Sequence, residues 1–438
     1  MKKNDDKPAL TTDNASQLGV IEVQLLPNEK VAFFDVREKH SATDEELNAR
    51  YAKGEIRIVT ESARYSLAGI LSMLQEEVEV EGEEVAPGTT EPRYKLDPEY
   101  QRRHRWSDER KSRLIESFLM NVPVPPVFLY ERDLARFEVM DGRQRLTALS
   151  DFYDDKFALC GLEYWADLEG RTYSTLPKKV RDGIDRRYIS SIILLKETAT
   201  SDEQAALLKK IVFERLNSGG VELSSQETRN AIYNGPLNKL CMSLSENSTF
   251  RRLWGIPSGI TPNAGSDDEL LESGDVSTLI GRRMFEKMED VELILRFFAY
   301  RQISYFRAGL NKISEFLDRF LFKGNFFEED VLLSYREMFE TSIEFLFDSL
   351  GSDAFTAIGQ SQRPTKIVYD PIMYIANDST VKSKYSELIG SKEILREELV
   401  AAYAEHAQLF SGRKTNYADT QARNQVIRGA FFKAISRI

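Results

Sequence analysis

Residues 137–153 read FEVMDGRQRLTALSDFY. An apolar, strand-like run stops at Asp141-Gly142, and Arg143-Gln144-Arg145 begins a helix. With the helix starting at Arg143 and turning about 100° per residue, Leu146, Leu149 and Tyr153 share one face, with Phe152 at its edge. Thr147, Asp151 and Asp154 fall opposite. Arg145 lands beside the apolar face, which steers its guanidinium inward, whereas Arg143 lies about 160° away from it, towards solvent. A strand that hands over to a helix across one glycine marks a mixed α/β segment.

An inward arginine in the first helical turn sits among unpaired backbone N–H groups and the positive end of the helix dipole. That concentration of positive charge calls for an anion. Asp141 can supply one negative charge or hold a divalent metal, and Gly142 lets the backbone approach a ligand closely. The five residues leave two readings open: an Asp141–Arg145 pair that closes the turn without a ligand, or a strand–loop–helix phosphate site.

Two further polar knots lie among apolar elements. YQRRHRW (100–106) places Gln101, Arg102, Arg103 and Arg105 ahead of a helix that Ser107 should cap, with Leu114, Ile115, Phe118 and Leu119 as its apolar face. FERLNSGGVELSSQETRNAI (213–232) holds Arg215, Asn217 and the turn Ser218-Gly219-Gly220, whose successive N–H groups suit an anion-binding nest. Glu227 and Arg229 follow on a helix that Ser224 or Ser225 should cap. A helix C-cap followed by a capping turn is the structural alternative for this knot.

The rest of the chain frames these knots. At 438 residues, with 42% hydrophobic and 29% charged content, it has the composition of a soluble protein of two or three domains. No apolar run approaches the roughly 18–20 residues of a membrane span, and the polar N-terminus has no signal-peptide core. Cys160 and Cys241 are too few and too far apart for a disulfide framework, which fits the cytoplasm. The net charge of −11 repels nucleic acid overall, so any such contact needs a local patch. Residues 411–438 offer one, with Arg413, Lys414, Arg423, Arg428, Lys433 and Arg437 against Asp419 alone.

The pattern divides the chain into a disordered tail (1–25), a mixed domain (26–235) and a helical bundle (236–438) whose apolar residues recur at three and four. Within the mixed domain, strands are expected at Ile56–Thr60, Val127–Glu131, Phe137–Asp141, 157–165 and 188–197. A helix is expected from Ser66, a flexible acidic loop over 78–92, and an amphipathic helix within 201–220.

YSLAGIL (65–71), YQRRHRWSDERKSRLIESFLMNVPVPPVFLYE (100–131), VMDGRQRLTAL (139–149) and FERLNSGGVELSSQETRNAI (213–232) occur in this order. Together they resemble the N-terminal domain family of the GmrSD type IV restriction endonucleases, in the ParB/sulfiredoxin-like superfamily. The resemblance covers roughly residues 55–235. It implies an α+β protein: a ParB/sulfiredoxin-like nucleotide-binding domain followed by an all-helical domain. It also implies a nucleotide site around Asp-Gly-Gln-Gln-Arg, Mg²⁺-dependent NTP hydrolysis, and defence against phage with modified DNA. On that template Asp141, Gly142, Gln144 and Arg145 carry over, while Arg143 stands where the family more often has Gln.

The resemblance then assigns roles. Asp141 would bind Mg²⁺, Gln144 would orient the attacking water, and Arg145 with the helix start at Arg143 would hold phosphates. Arg102 would supply a second clamp, beside Gln101. Arg215, Asn217, Ser218, Gly219, Gly220 and Arg229 would complete the nucleotide site. Many relatives end in an HNH nuclease, but this chain has only His40, His104 and His406, scattered, and no cysteine pair at zinc spacing. A separately encoded nuclease is one partner the resemblance admits, beside a nucleoside triphosphate and modified phage DNA. The alternatives are a module that binds or senses DNA through the basic 413–437 stretch and the Arg102/Arg103/Arg105 cluster, or a nuclease acting through Asp141 itself.

Overall fold

The computed structural model describes residues 25–31, 43–53, 58–80, 86, 88–96, 106–196, 201–217, 224–257, 276–304, 312–361, 363–412 and 416–438. Contacts group these into two units. One holds the described residues from 43 to 234 together with 276–289; the other holds 25–31, 235–257 and those from 290 onward.

The first unit runs α1 (Asp44–Lys53), β1 (Thr60–Ser66), α2 (Ile70–Gln75), β2 (Glu77–Glu79), β3 (Thr90–Pro92), β4 (Tyr94–Lys95) and α3 (Asp108–Leu119). It continues through β5 (Val127–Asp133), β6 (Arg136–Asp141), α4 (Arg143–Tyr153), α5 (Lys178–Asp185), β7 (Tyr188–Leu194), α6 (Asp202–Asn217) and α7 (Ser225–Ile232). The sheet order is β1-β7-β5-β6-β4. It is mixed: β5 is antiparallel to β6 and parallel to β7, and β4 is parallel to β6.

Alternation along the central hairpin sends side chains to opposite faces. Val127, Leu129, Phe137 and Val139 join a core with Ile115 and Phe118 of α3 and Leu146, Leu149 and Phe152 of α4. Tyr130, Met140 and Leu194 point the other way, against Phe213 of α6 and Ala231 and Ile232 of α7. The helices expected after Ser107 and from Arg143 are thus present, and Ser107 caps α3 by accepting from the Arg110 N–H.

Four expectations are corrected. Of the strand expected at Ile56–Thr60, Ile56 and Arg57 lie outside the described residues and Ile58 and Val59 are not strand; the strand is Thr60–Ser66, which pairs antiparallel with β7 from Thr60↔Leu194 to Ser66↔Tyr188. TESARYS is polar at an edge position, so only its partner marks it as a strand. The expected helix from Ser66 begins as a 3₁₀ turn at Leu67–Gly69 before α2. Within 78–92, expected as a loop, β2 and β3 form an antiparallel pair with Glu77 opposite Pro92.

Residues 157–165 form no strand. Four of their backbone N–H groups go to α3 side chains instead of to a neighbouring strand. The Cys160 N–H donates to Ser112 Oγ at 3.0 Å. Those of Tyr164 and Trp165 donate to Glu116 Oε1 at 2.7 and 2.9 Å, and that of Glu163 to Oε2 at 3.3 Å. Cys160 therefore lies half-buried in a loop, not in an apolar strand.

The second unit is helical, as its three-four periodicity predicts. Its longer helices are Glu289–Tyr300, Ile313–Gly324, Glu329–Leu350, Lys366–Ala376, Lys392–Glu405 and Tyr417–Arg437. Two buried ion pairs tie it together. Arg301 donates from Nε and Nη2 to Glu29 at 2.5 and 2.9 Å, and Tyr335 and the Leu26 N–H satisfy the same carboxylate. Arg296 pairs with Asp370 and also donates to the Tyr300 hydroxyl. Among the described residues no helix is long and apolar enough to cross a membrane.

Glu116 makes the loop at 160–165 sensitive to acid. Burial raises its pKa, but the three N–H donors, with Arg113 nearby, outweigh burial and hold the carboxyl below its ordinary value. Its stabilisation is therefore complete above the unfolded-state pKa of about 4.3 and disappears as the pH falls through the lower folded value. Glu116→Ala should lower stability by about 2–3 kcal/mol at neutral pH. Melting curves of variant and wild type should then converge in acid; a constant gap down to low pH would refute the charge-dependent anchor.

Candidate functional site

The strand-to-helix handover is built on one backbone conformation. Gly142 sits between β6 and α4 in the left-handed region, at φ 91° and ψ 8°. A Cβ here would lie 2.5 Å from Val127 Cγ1 and 2.9 Å from Arg145 Nη2. Glycine is thus needed for the dihedral and again for the space. The close approach is to the first residue of β5, packed beneath the turn, which sequence reading assigned instead to a ligand. The Gly142 carbonyl accepts from the Leu146 N–H at 2.9 Å and starts the helix. With no side chain, Gly142 leaves the N-terminus of α4 without a side-chain cap.

Arg145 turns inward as its helical position predicts. Its side chain is 15% exposed, against 37% for Asp141. Nη2 donates to Asp141 Oδ2 at 2.9 Å and to the Pro126 carbonyl at 3.1 Å. Nε is buried and has no hydrogen-bond acceptor among the described residues. Arg143 is half-buried, less open to solvent than its position around the helix suggests. Gln144 Oε1 accepts from the Trp106 N–H at 3.3 Å, so the first turn of α4 touches the last residue of the YQRRHRW knot. The Arg110 guanidinium lies over the Trp106 ring, 4.8 Å from its centroid.

The handover therefore gathers Asp141, Gly142, Gln144 and Arg145 with Trp106 and the Pro126 carbonyl. Gln101, Arg102, Arg103 and Arg105 lie outside the described residues, as do Ser218, Gly219, Gly220 and the side chain of Asn217. Arg215 is exposed in the last turn of α6. Arg229 is buried in α7, donating from Nη1 to Gln226 Oε1 at 3.1 Å. Ser224, rather than Ser225, caps that helix, in a reciprocal box with Glu227. Sequence reading missed Trp106 and Pro126; the Pro125-Pro126 pair, which presents a carbonyl before β5, was the available signal.

The basic C-terminal stretch is less available to phosphates than its composition suggests. Arg423 is buried; Arg428 pairs with Asp378, and Arg437 with Glu397 and Glu398. Arg413 and Lys414 lie outside the described residues. Among the described residues no group of three or more His, Cys, Asp or Glu is placed to hold a metal ion.

The two demands on residue 142 can be tested directly. Gly142→Ala should destabilise the fold by about 2–4 kcal/mol, combining a strained left-handed residue with overpacking against Val127. Chemical denaturation measures this; a wild-type midpoint would mean the turn relaxes without cost.

Residues 88–234, about a third of the chain, match the model of the GmrSD restriction endonuclease, N-terminal domain. No curated protein and no solved structure matches the chain. The matched segment contains α3, the β5–β6 hairpin, the glycine handover and Arg145, so the family signature falls on the elements that build the site. Residues 88–234 belong to the GmrSD restriction endonuclease N-terminal domain family.

Proposed function

We propose that this domain is a ParB/sulfiredoxin-like nucleotide-binding module that hydrolyses a nucleoside triphosphate with Mg²⁺ and regulates a restriction system directed at modified phage DNA, with a separately encoded nuclease as partner. Arg145 carries the reading. It is a shielded guanidinium at a helix N-terminus without a side-chain cap, with Nε buried and lacking an acceptor among the described residues. A phosphate oxygen supplies the acceptor that Nε lacks, and the helix N-terminus favours the same negative charge.

The donor set also fits Mg²⁺ in one specific mode. Asp141 is a single carboxylate, and Mg²⁺ in phosphate sites commonly takes one or two carboxylates plus phosphate oxygens rather than an all-protein cage. When bound, the metal neutralises charge on the phosphates. Asp141 is paired to Arg145; with Arg145 engaged by a phosphate, the carboxylate would be the residue to hold the metal. Gln144 orients the attacking water from the same helical turn. Gln101, Arg102, Arg143, Arg215, Asn217, Ser218, Gly219, Gly220 and Arg229 complete the nucleotide contacts in this reading.

Arg145→Ala should reduce turnover by about 10²–10³-fold, the scale for losing one preorganised donor. Its melting temperature should move little, because a partly exposed ion pair is worth about 1 kcal/mol or less. Arg143→Ala should cost less activity, and Asp141→Ala should remove metal dependence together with turnover. Phosphate release and melting temperature, measured on all three variants, decide the matter. Equal activity losses at Arg143 and Arg145 that follow lost stability would reduce the handover to a structural ion pair.

A further inference from the structure

Residues 159–171 form a closed surface loop on the first unit. Its neck is joined by the Leu159 N–H to the Arg171 carbonyl and the Gly170 N–H to the Leu159 carbonyl, both at 2.8 Å. Leu162 and Leu168 anchor it in the core. The Leu162 N–H donates to Glu169 Oε1 at 2.7 Å, and Glu116, only 3% exposed, accepts from three successive N–H groups at 163–165. Such compact loops, packed by their own side chains, are frequently functional.

What this anchoring holds outward is unusual for a surface. Tyr164 is 69% exposed and Trp165 39%. The side chains of Glu163 and Asp167 beside them are exposed as well. A buried carboxylate is costly unless several donors satisfy it, and here its donors fix the backbone of two large aromatic residues, Tyr164 mostly exposed and Trp165 partly so. Holding them rigid before contact removes ordering entropy from a binding step. Exposed Tyr and Trp on a rigid frame are the residue types that dominate interface energies.

Charge selects the partner. Glu163 and Asp167 repel phosphate backbones and anionic membranes, and aromatic faces beside carboxylates attract a guanidinium through cation–π contact and charge-assisted hydrogen bonds. We propose that Tyr164 and Trp165, flanked by Glu163 and Asp167, form a docking surface for an arginine-bearing cationic segment of a partner protein. The chain's net charge of −11 steers such a segment towards it. The surface does not depend on the nucleotide reading of the handover, and its test needs no nucleotide.

The test uses the full chain and a fluorescently labelled peptide of alternating glycine and arginine, with binding followed by anisotropy. The wild type should bind it, and more tightly than the matching lysine peptide. The double variant Tyr164→Ala/Trp165→Ala leaves net charge unchanged and should weaken binding about tenfold or more; both residues being exposed, its melting temperature should match the wild type. Glu163→Gln/Asp167→Asn should weaken binding and flatten its salt dependence. The single variant Tyr164→Ala, at the more exposed position, provides a second reading should the double variant lose stability. No binding, or equal binding by wild type and the aromatic variants, would overturn the proposal by leaving only general attraction to an acidic protein. Loss of single-stranded DNA binding in the aromatic variants, with peptide binding intact, would overturn it in favour of a base-stacking surface.

Discussion

The contact between Gly142 and Val127 is the constraint on which the mixed unit's site depends. The turn after β6 must lie directly over the start of β5, close enough that a methyl group would collide with Val127. That closeness sets the origin of α4 and thereby the direction of Arg145. The Pro126 carbonyl is within reach of Nη2 only because the residue after it lies beneath the turn. Asp141 faces the same guanidinium because β6 ends one residue earlier. A sheet register and a helix start are locked by one missing side chain.

A second theme is how this chain treats buried charge. Glu116 and Glu29 are taken out of water and each is met by donors from several residues, while Asp370 is held by two N–H groups of Arg296. Multiple donors are what make a buried carboxylate tolerable, since a single ion pair seldom offsets two desolvation costs. Arg145 departs from this pattern. Its Nη2 serves two acceptors while its Nε, equally buried, has none among the described residues. Arg132, Arg187 and Arg423 also bury an Nε with no acceptor among the described residues; what sets Arg145 apart is its place at the start of α4, beside Asp141.

Trp106 and the first turn of α4 meet through one hydrogen bond. Trp106 donates its N–H to Gln144, joining the segment ahead of α3 to the first turn of α4. The helices pack on each other through Leu114, Ile115 and Phe118 on one side and Leu146, Leu149 and Phe152 on the other. Residues about 30 to 40 positions apart in sequence are thus brought together by core packing, and the polar ends of both helices follow.

Local rules made much of this legible in the amino-acid sequence. The alternation in 127–141 marked the hairpin, three-four spacing marked α3, α4 and the helices beyond 290, Ser107 announced its cap, the Ser224-Ser225 pair announced another, and helical rotation put Arg145 inward. These features depend on neighbours a few residues away, so the sequence by itself determines them. Tertiary structure decided what depends on a distant partner. TESARYS is a strand because β7 lies beside it, and 157–165 is a loop because Ser112 and Glu116 take its backbone donors. Arg428 and Arg437 of the basic C-terminal helix are paired because Asp378, Glu397 and Glu398 come alongside. Gly142 belongs to both: its dihedral could be anticipated from the turn, but the Val127 methyl that forbids any other residue is set by strand pairing alone.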